Sequence, residues 1–120
     1  MSISNYAENK LLDTLGGTAV SVSNAYLKLH TADPGEDGTA AAASNTSRQA
    51  VTFAAASGGS KTSNATVSWV SVPAAETYTH WSLWDAATAG NCLWTGALSS
   101  AATVAIGDTF QITSLTLSLD

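Results

Sequence analysis

A chain of 120 residues has the length for one domain with a modest core, the more so because 22 of its residues are alanine. Charged residues make up 11 % and the net charge is −5, with only Lys10, Lys28, Arg48 and Lys61 positive. Four scattered cations exclude a nucleic-acid patch and attraction to an anionic membrane surface. The single cysteine, Cys92, excludes an internal disulfide.

Ile3 to Leu15 is the one predicted helix. Ser4 or Asn5 can cap it, and Glu8 stands three residues after Asn5 as in a capping box. Ala7, Leu11 and Leu15, with Leu12 beside them, form an apolar stripe. Gly16 and Gly17 stop the helix. So short a helix is marginal alone, so the stripe must dock on its own sheet or on a neighbouring subunit. The N-terminus has no basic region leading into an apolar run, so no signal peptide is expected. No stretch is apolar enough for a membrane span.

Thr18 to Ser23 reads as a connector with room for a short strand. Ala25 to Thr31 alternates as a strand, with Leu27 and Leu29 on one face and Tyr26, Lys28 and His30 on the other. Ala32 to Gly38 is a turn region built on Asp33-Pro34-Gly35. Thr39 to Ser47 has no periodicity and reads as an exposed arm that could move or reach a neighbour. Arg48 to Ala54 is a second strand, Ser57 to Ser60 a flexible turn, and Ala65 to Val72 a third strand closed by Pro73.

The stretch Thr79 to Gly96 carries three of the four tryptophans and Cys92. Two apolar runs around a loop of about five residues predict a β-hairpin. Trp81 and Leu83 share one face; His80, Ser82 and Trp84 share the other. Tryptophan on both faces marks an inner strand, or one covered by a second subunit. Thr103 to Ile106, a Gly107-Asp108 turn, Thr109 to Ile112 and Leu115 to Leu119 complete the chain. The apolar phase switches at Thr113-Ser114, which predicts a bulge or bend within a long final strand. The expected fold is mainly β: an antiparallel β-sandwich, jelly-roll-like, of about seven or eight short strands with one N-terminal α-helix. Residues 1–17 hold the helix and 18–120 the sandwich, as a single domain overall.

The pattern assembles no catalytic set. His30 and His80 lie in strands without metal-ligand spacing. Asp33, Glu36 and Asp37 lack the alternation of a calcium loop. Gly58-Gly59-Ser60-Lys61-Thr62 lacks the first glycine of a phosphate loop, and Lys61 does not follow a glycine directly. Cys92 has no nearby cation and reads as an inert buried thiol. The four tryptophans read as core or interface, with a sugar-stacking platform as the alternative. No enzymatic activity, cofactor or metal is expected.

Three segments, SISNYAENKLLDTLGG, YLKLHTADPGEDG followed by SRQAVTFAAASGGS, and THWSLWDAATAGNCLWTGAL with a later GDTFQI, cover nearly the whole chain in order. Together they resemble a family of small tailed-bacteriophage virion structural proteins. Its members are often labelled tail fibre proteins, and similar small β-domains serve as head decoration proteins. The resemblance implies a virion protein made in the host cytoplasm. The favoured expectation is a head decoration or minor capsid protein on the head exterior. It would self-associate, with a trimer favoured, bind the major capsid protein or other virion proteins, and stabilise the head. The alternative is a tail-fibre or tail-tip module that binds host surface glycan. Tyr6, Leu11, Leu12, Leu15, Trp81 and Trp84 are the expected interface residues.

Overall fold

The computed structural model describes residues 2–119. The outer limits of the expected 1–17 and 18–120 segments, Met1 and Asp120, lie outside the described residues. The chain is mainly β with one helix, as expected. Its strands are β1 (Ser2–Ile3), β2 (Ala25–His30), β3 (Gln49–Val51), β4 (Ser60–Thr62), β5 (Val67–Trp69), β6 (Glu76–Trp84), β7 (Cys92–Val104), β8 (Phe110–Ile112) and β9 (Thr116–Ser118). Helix α1 spans Asn5–Leu15.

One five-stranded sheet in the order β1-β7-β6-β2-β3 carries the fold, and every pairing in it is antiparallel. The tryptophan hairpin forms its centre, with β6 between β2 and β7. The opposing layer is two separate ribbons, β4-β9 and β5-β8, rather than one continuous sheet. The phase switch at Thr113-Ser114 therefore marks no bulge in a long strand. It is the point where the chain leaves β5 and crosses to β4. The Ser57 to Ser60 segment is a tight two-residue turn with Gly58 and Gly59 at positive φ, and its two end residues exchange both backbone hydrogen bonds.

Period two divides the central strands as the sequence predicts. Leu27, Leu29, Trp81, Leu83 and Trp94 face the ribbons and pack with Val67, Trp69 and Ile112 in the core. Gly96 lies opposite Trp81, and a Cβ there would come within 2.4 Å of the indole. The small residue is what lets the ring pack this closely against β7. Trp69 and Tyr78 flank Phe110 at 5.8 and 5.2 Å between ring centroids.

The opposite face of the sheet is covered by the 32–40 part of the 32–47 segment, with Gly38 over Trp84 and Cys92 and the Ala40 carbonyl on His30. Residues 41–43 then pair along the edge of β2, and Ala43 joins the core. The expected arm, Thr39 to Ser47, is a mostly exposed loop as its composition suggests, but it is tied to the fold. Ala42 bridges to His30, Ala43 and Asn45 are buried, and the Glu76 carboxylate accepts from the Ser44 and Asn45 amides at 2.9 and 3.1 Å. Alanine gives no periodic signal, but its small side chain lets backbone lie close to a sheet, where it finds hydrogen-bond partners.

Candidate functional site

The face under residues 32–47 holds most of the groups that could do chemistry. His30 is fully buried. Its Nδ1 lies 2.9 Å from the Ala40 carbonyl oxygen and its Nε2 2.7 Å from Ser82 Oγ. The carbonyl fixes the tautomer: Nδ1–H donates to it, and Nε2 accepts from the Ser82 hydroxyl. Ser82 Oγ in turn accepts from Trp84 Nε1 at 2.7 Å. Each polar atom of the three side chains is satisfied, and burial pushes the His30 pKa down. The ring is a neutral structural group. His80 pairs directly opposite it on β6, a juxtaposition that sequence spacing could not reveal. The His80 Nδ1 lies 2.8 Å from Thr79 Oγ1.

Arg48 closes the hairpin tip. Its Nη1 donates to the carbonyls of Ala86 and Ala89 at 2.8 and 2.7 Å, and its guanidinium lies 4.1 Å from the Trp84 ring centroid. Lys28 approaches the same ring at 5.9 Å. Burial, then the nearby Arg48 charge, lowers the Lys28 pKa. Cys92 is buried against the same indole, and burial raises its thiol pKa to about 11, so it is no nucleophile at neutral pH. Gly38, at φ +74°, closes over this corner, where a Cβ would meet Cys92 Sγ at 2.6 Å.

The acidic turn is occupied with its own backbone. Asp33 Oδ1 accepts from the Gly35 amide, and Asp37 Oδ1 accepts from the Thr39 amide and hydroxyl. The Thr39 hydrogen bonds hold the Asp37 carboxyl below its ordinary pKa. Among the described residues, no group of three His, Cys, Asp or Glu side chains could hold a metal ion. No described helix is long and apolar enough to cross a membrane.

Two of the clefts in the surface adjoin helix α1. The first is an apolar cleft of about 330 Å³ between α1, the 20–22 connector and the β4-β9 ribbon, walled by Ile3, Tyr6, Leu11, Val22, Leu93 and Leu117. The Ser4 cap fixes α1 at its rim. Ser4 Oγ accepts from the Ala7 amide at 3.2 Å and donates to the Cys92 carbonyl, and the Ser4 amide donates to the Leu93 carbonyl at 3.0 Å. The helix turns Tyr6, Ala7 and Lys10 to the cleft. It buries no residue completely and leaves Leu11, Leu12 and Leu15 exposed at 38, 65 and 86 %. Ala7 and Leu11 of the apolar stripe border the cleft, while Leu12 and Leu15 are not docked on the chain's own sheet. The second is a cleft of mixed lining, about 580 Å³, whose wall includes Asn5, Tyr6, Glu36, Asp37, Thr39 and Asn91.

The expected interface residues thus divide. Tyr6 is half-buried and the three leucines are open to a partner. Trp81 and Trp84 are only 2 and 6 % exposed, covered by the ribbons and by residues 32–47. Trp69 and Trp94 are buried as well, so no tryptophan face is left free to stack on a sugar. Val20 and Val22 were not singled out in sequence; their only signal was an apolar side chain in a connector with no periodic partner, whereas Leu119 belongs to the alternating Leu115 to Leu119 run.

The fold and its open surfaces define a small antiparallel β domain carrying one amphipathic helix with an unpartnered apolar face. A family model described as Podophage GP4 fiber I protein gp80 matches residues 2–120, and the chain belongs to that family. It is a bacteriophage virion structural protein of a fibre family, and it associates with other virion proteins. No curated protein matches the chain.

Proposed function

We propose that this chain is a non-enzymatic component of a phage tail fibre, not a head decoration protein, and that it joins the fibre through its α1 end. The family match supports fibre over capsid lattice. The observation that carries the mode of action is the unpartnered apolar surface of Tyr6, Leu11, Leu12 and Leu15 beside the cleft. Three leucines on one short helix are left in water at a cost that only a partner removes. Binding to that partner would also stabilise the marginal helix by mass action. Immunogold labelling of intact particles tests the assignment. Gold confined to the tail is the expected outcome; gold spread over the head would overturn it and restore the decoration role.

A second reading, binding of a host-surface glycan, is favoured by the polar side chains of Asn5, Glu36 and Asn91 in the wall of the larger cleft. Carboxylates and amides around an aromatic such as Tyr6 are suited to sugar hydroxyls. Host adsorption by particles carrying Glu36→Ala with Tyr6→Ala decides it, and normal adsorption would count against glycan binding.

A further inference from the structure

The exposed large apolar side chains are not scattered. The molecule measures 47 × 26 × 23 Å. β7 is paired with β6 from Cys92 opposite Trp84 to Val104 opposite Glu76, so its two ends stand about as far apart as those of a nine-residue strand, about 27 Å. At its Cys92 end lie α1 and the apolar cleft, with Leu11, Leu12, Leu15, Val22 and Leu119 exposed around it. At its Val104 end the chain turns through Ala105–Asp108, closed by the Asp108 amide on the Ala105 carbonyl at 3.0 Å. Ile106 stands on this turn, 73 % exposed. The adjoining chain after β5 is tied to the same turn: the Val72 amide donates to Asp108 O at 2.9 Å, and the Gly107 amide to Val72 O at 2.8 Å. That places Val70, 72 % exposed, at the same end. One end is a concave apolar cleft and the other a projecting apolar turn.

The charges match as well. Lys10 and Lys61 line the cleft, and the Asp108 carboxylate stands on the projecting turn, where its Oδ2 accepts from the Ala105 amide. Asp85 also lines the cleft, but both its oxygens are engaged by Asn91 within the hairpin loop. We infer that the Val70–Ile106 end of one copy docks in the cleft of the next, with Asp108 near Lys10 and Lys61, so that copies stack head to tail. Such a contact is heterologous and does not close on itself, so it propagates into a filament. The inference rests on the fibre reading for its setting and names the partner of the α1 end as a second copy.

Two apolar side chains and a charge pair make a weak contact, so the intact chain is examined by sedimentation equilibrium up to about 1 mM. The average mass is expected to rise to at least twice the 12.2 kDa of one chain. A mass that stays at one chain would overturn the proposal. Two double variants then separate the ends: Leu11→Glu with Val22→Glu at the cleft, and Val70→Lys with Ile106→Lys at the turn. All four side chains are exposed, and Val70→Ser with Ile106→Ser serves as a milder version at the turn. Each double variant alone should remain a single chain. Their equimolar mixture should reach two chains and stop there, because only one intact cleft and one intact turn can meet. Self-association that survives the turn substitutions, as helix-to-helix pairing would, overturns head-to-tail docking, as does a mixture that stays monomeric. Gold over the head with this self-association intact would overturn the fibre assignment and leave the docking standing.

Discussion

His30, Ser82 and Trp84 form one hydrogen-bonded chain inside the sheet, and its energetics depend on proton count. Burial holds the folded His30 pKa below the ordinary value of about 6.5. The unfolded chain therefore takes up a proton first as pH falls. The stability that goes with neutral His30 is complete above the unfolded pKa and declines as pH drops from about 6.5 toward the lowered folded pKa. Urea midpoints measured from pH 7.5 to 5.5 should fall for the natural chain and fall less for His30→Gln; parallel curves would refute the assignment. Ser82→Ala would strand both the imidazole and the Trp84 N–H and should cost about 1–3 kcal/mol. Gly96→Ala drives a methyl into the Trp81 ring, and a loss of about 1–3 kcal/mol is expected by denaturant titration. An unchanged midpoint would mean that the indole can move aside.

At the scale of elements, the cover formed by residues 32–47 is held at one edge by a single carboxylate. Glu76→Ala removes two charge-assisted hydrogen bonds to the Ser44 and Asn45 amides and should cost about 1.5–3 kcal/mol. Amide exchange at Ser44 and Asn45 should accelerate in that variant while exchange at the β6 and β2 amides is less affected. Equal acceleration everywhere would show that the cover does not open by itself. Helix α1 behaves in the opposite way. Leu12→Glu with Leu15→Glu alters side chains that contact little of the chain, so the melting transition should move by no more than about 0.5 kcal/mol per site. Incorporation into particles should nevertheless be lost, because those leucines form the face offered to the partner.

For the whole molecule, the buried Cys92 is a built-in probe. It lies beneath Gly38 and against Trp84, and its thiol pKa is raised to about 11. Labelling by an aromatic disulfide reagent at neutral pH should be slow in the native chain and should follow opening of residues 32–47 or global unfolding. Rapid labelling of the native chain would contradict the packed cover. The elongated form, with apolar surface at both ends of β7 and hydrogen-bonded polar groups between them, suits a module that joins neighbours along an axis.

The amino-acid sequence by itself determined the elements whose side chains repeat with a clear period. The α1 stripe, the two faces of β2 and the two faces of the tryptophan strand were legible because each follows from local geometry of the backbone. So was the family, since the resemblance runs through nearly the whole chain. What only the tertiary structure decided depends on residues far apart in sequence. The Thr39 to Ser47 segment is tied to the fold because Glu76 and His30, on other strands, offer partners that its own residues do not announce. Leu115 to Leu119 separates from Phe110 to Ile112 because each finds a different ribbon partner, while a change of phase alone is equally consistent with a bulge. Trp81 and Trp84 lie inside the chain, whereas Leu12 and Leu15 stay outside, because burial depends on what the rest of the fold lays over each face. An apolar side chain is the same in sequence whether its cover comes from its own chain or from a neighbour.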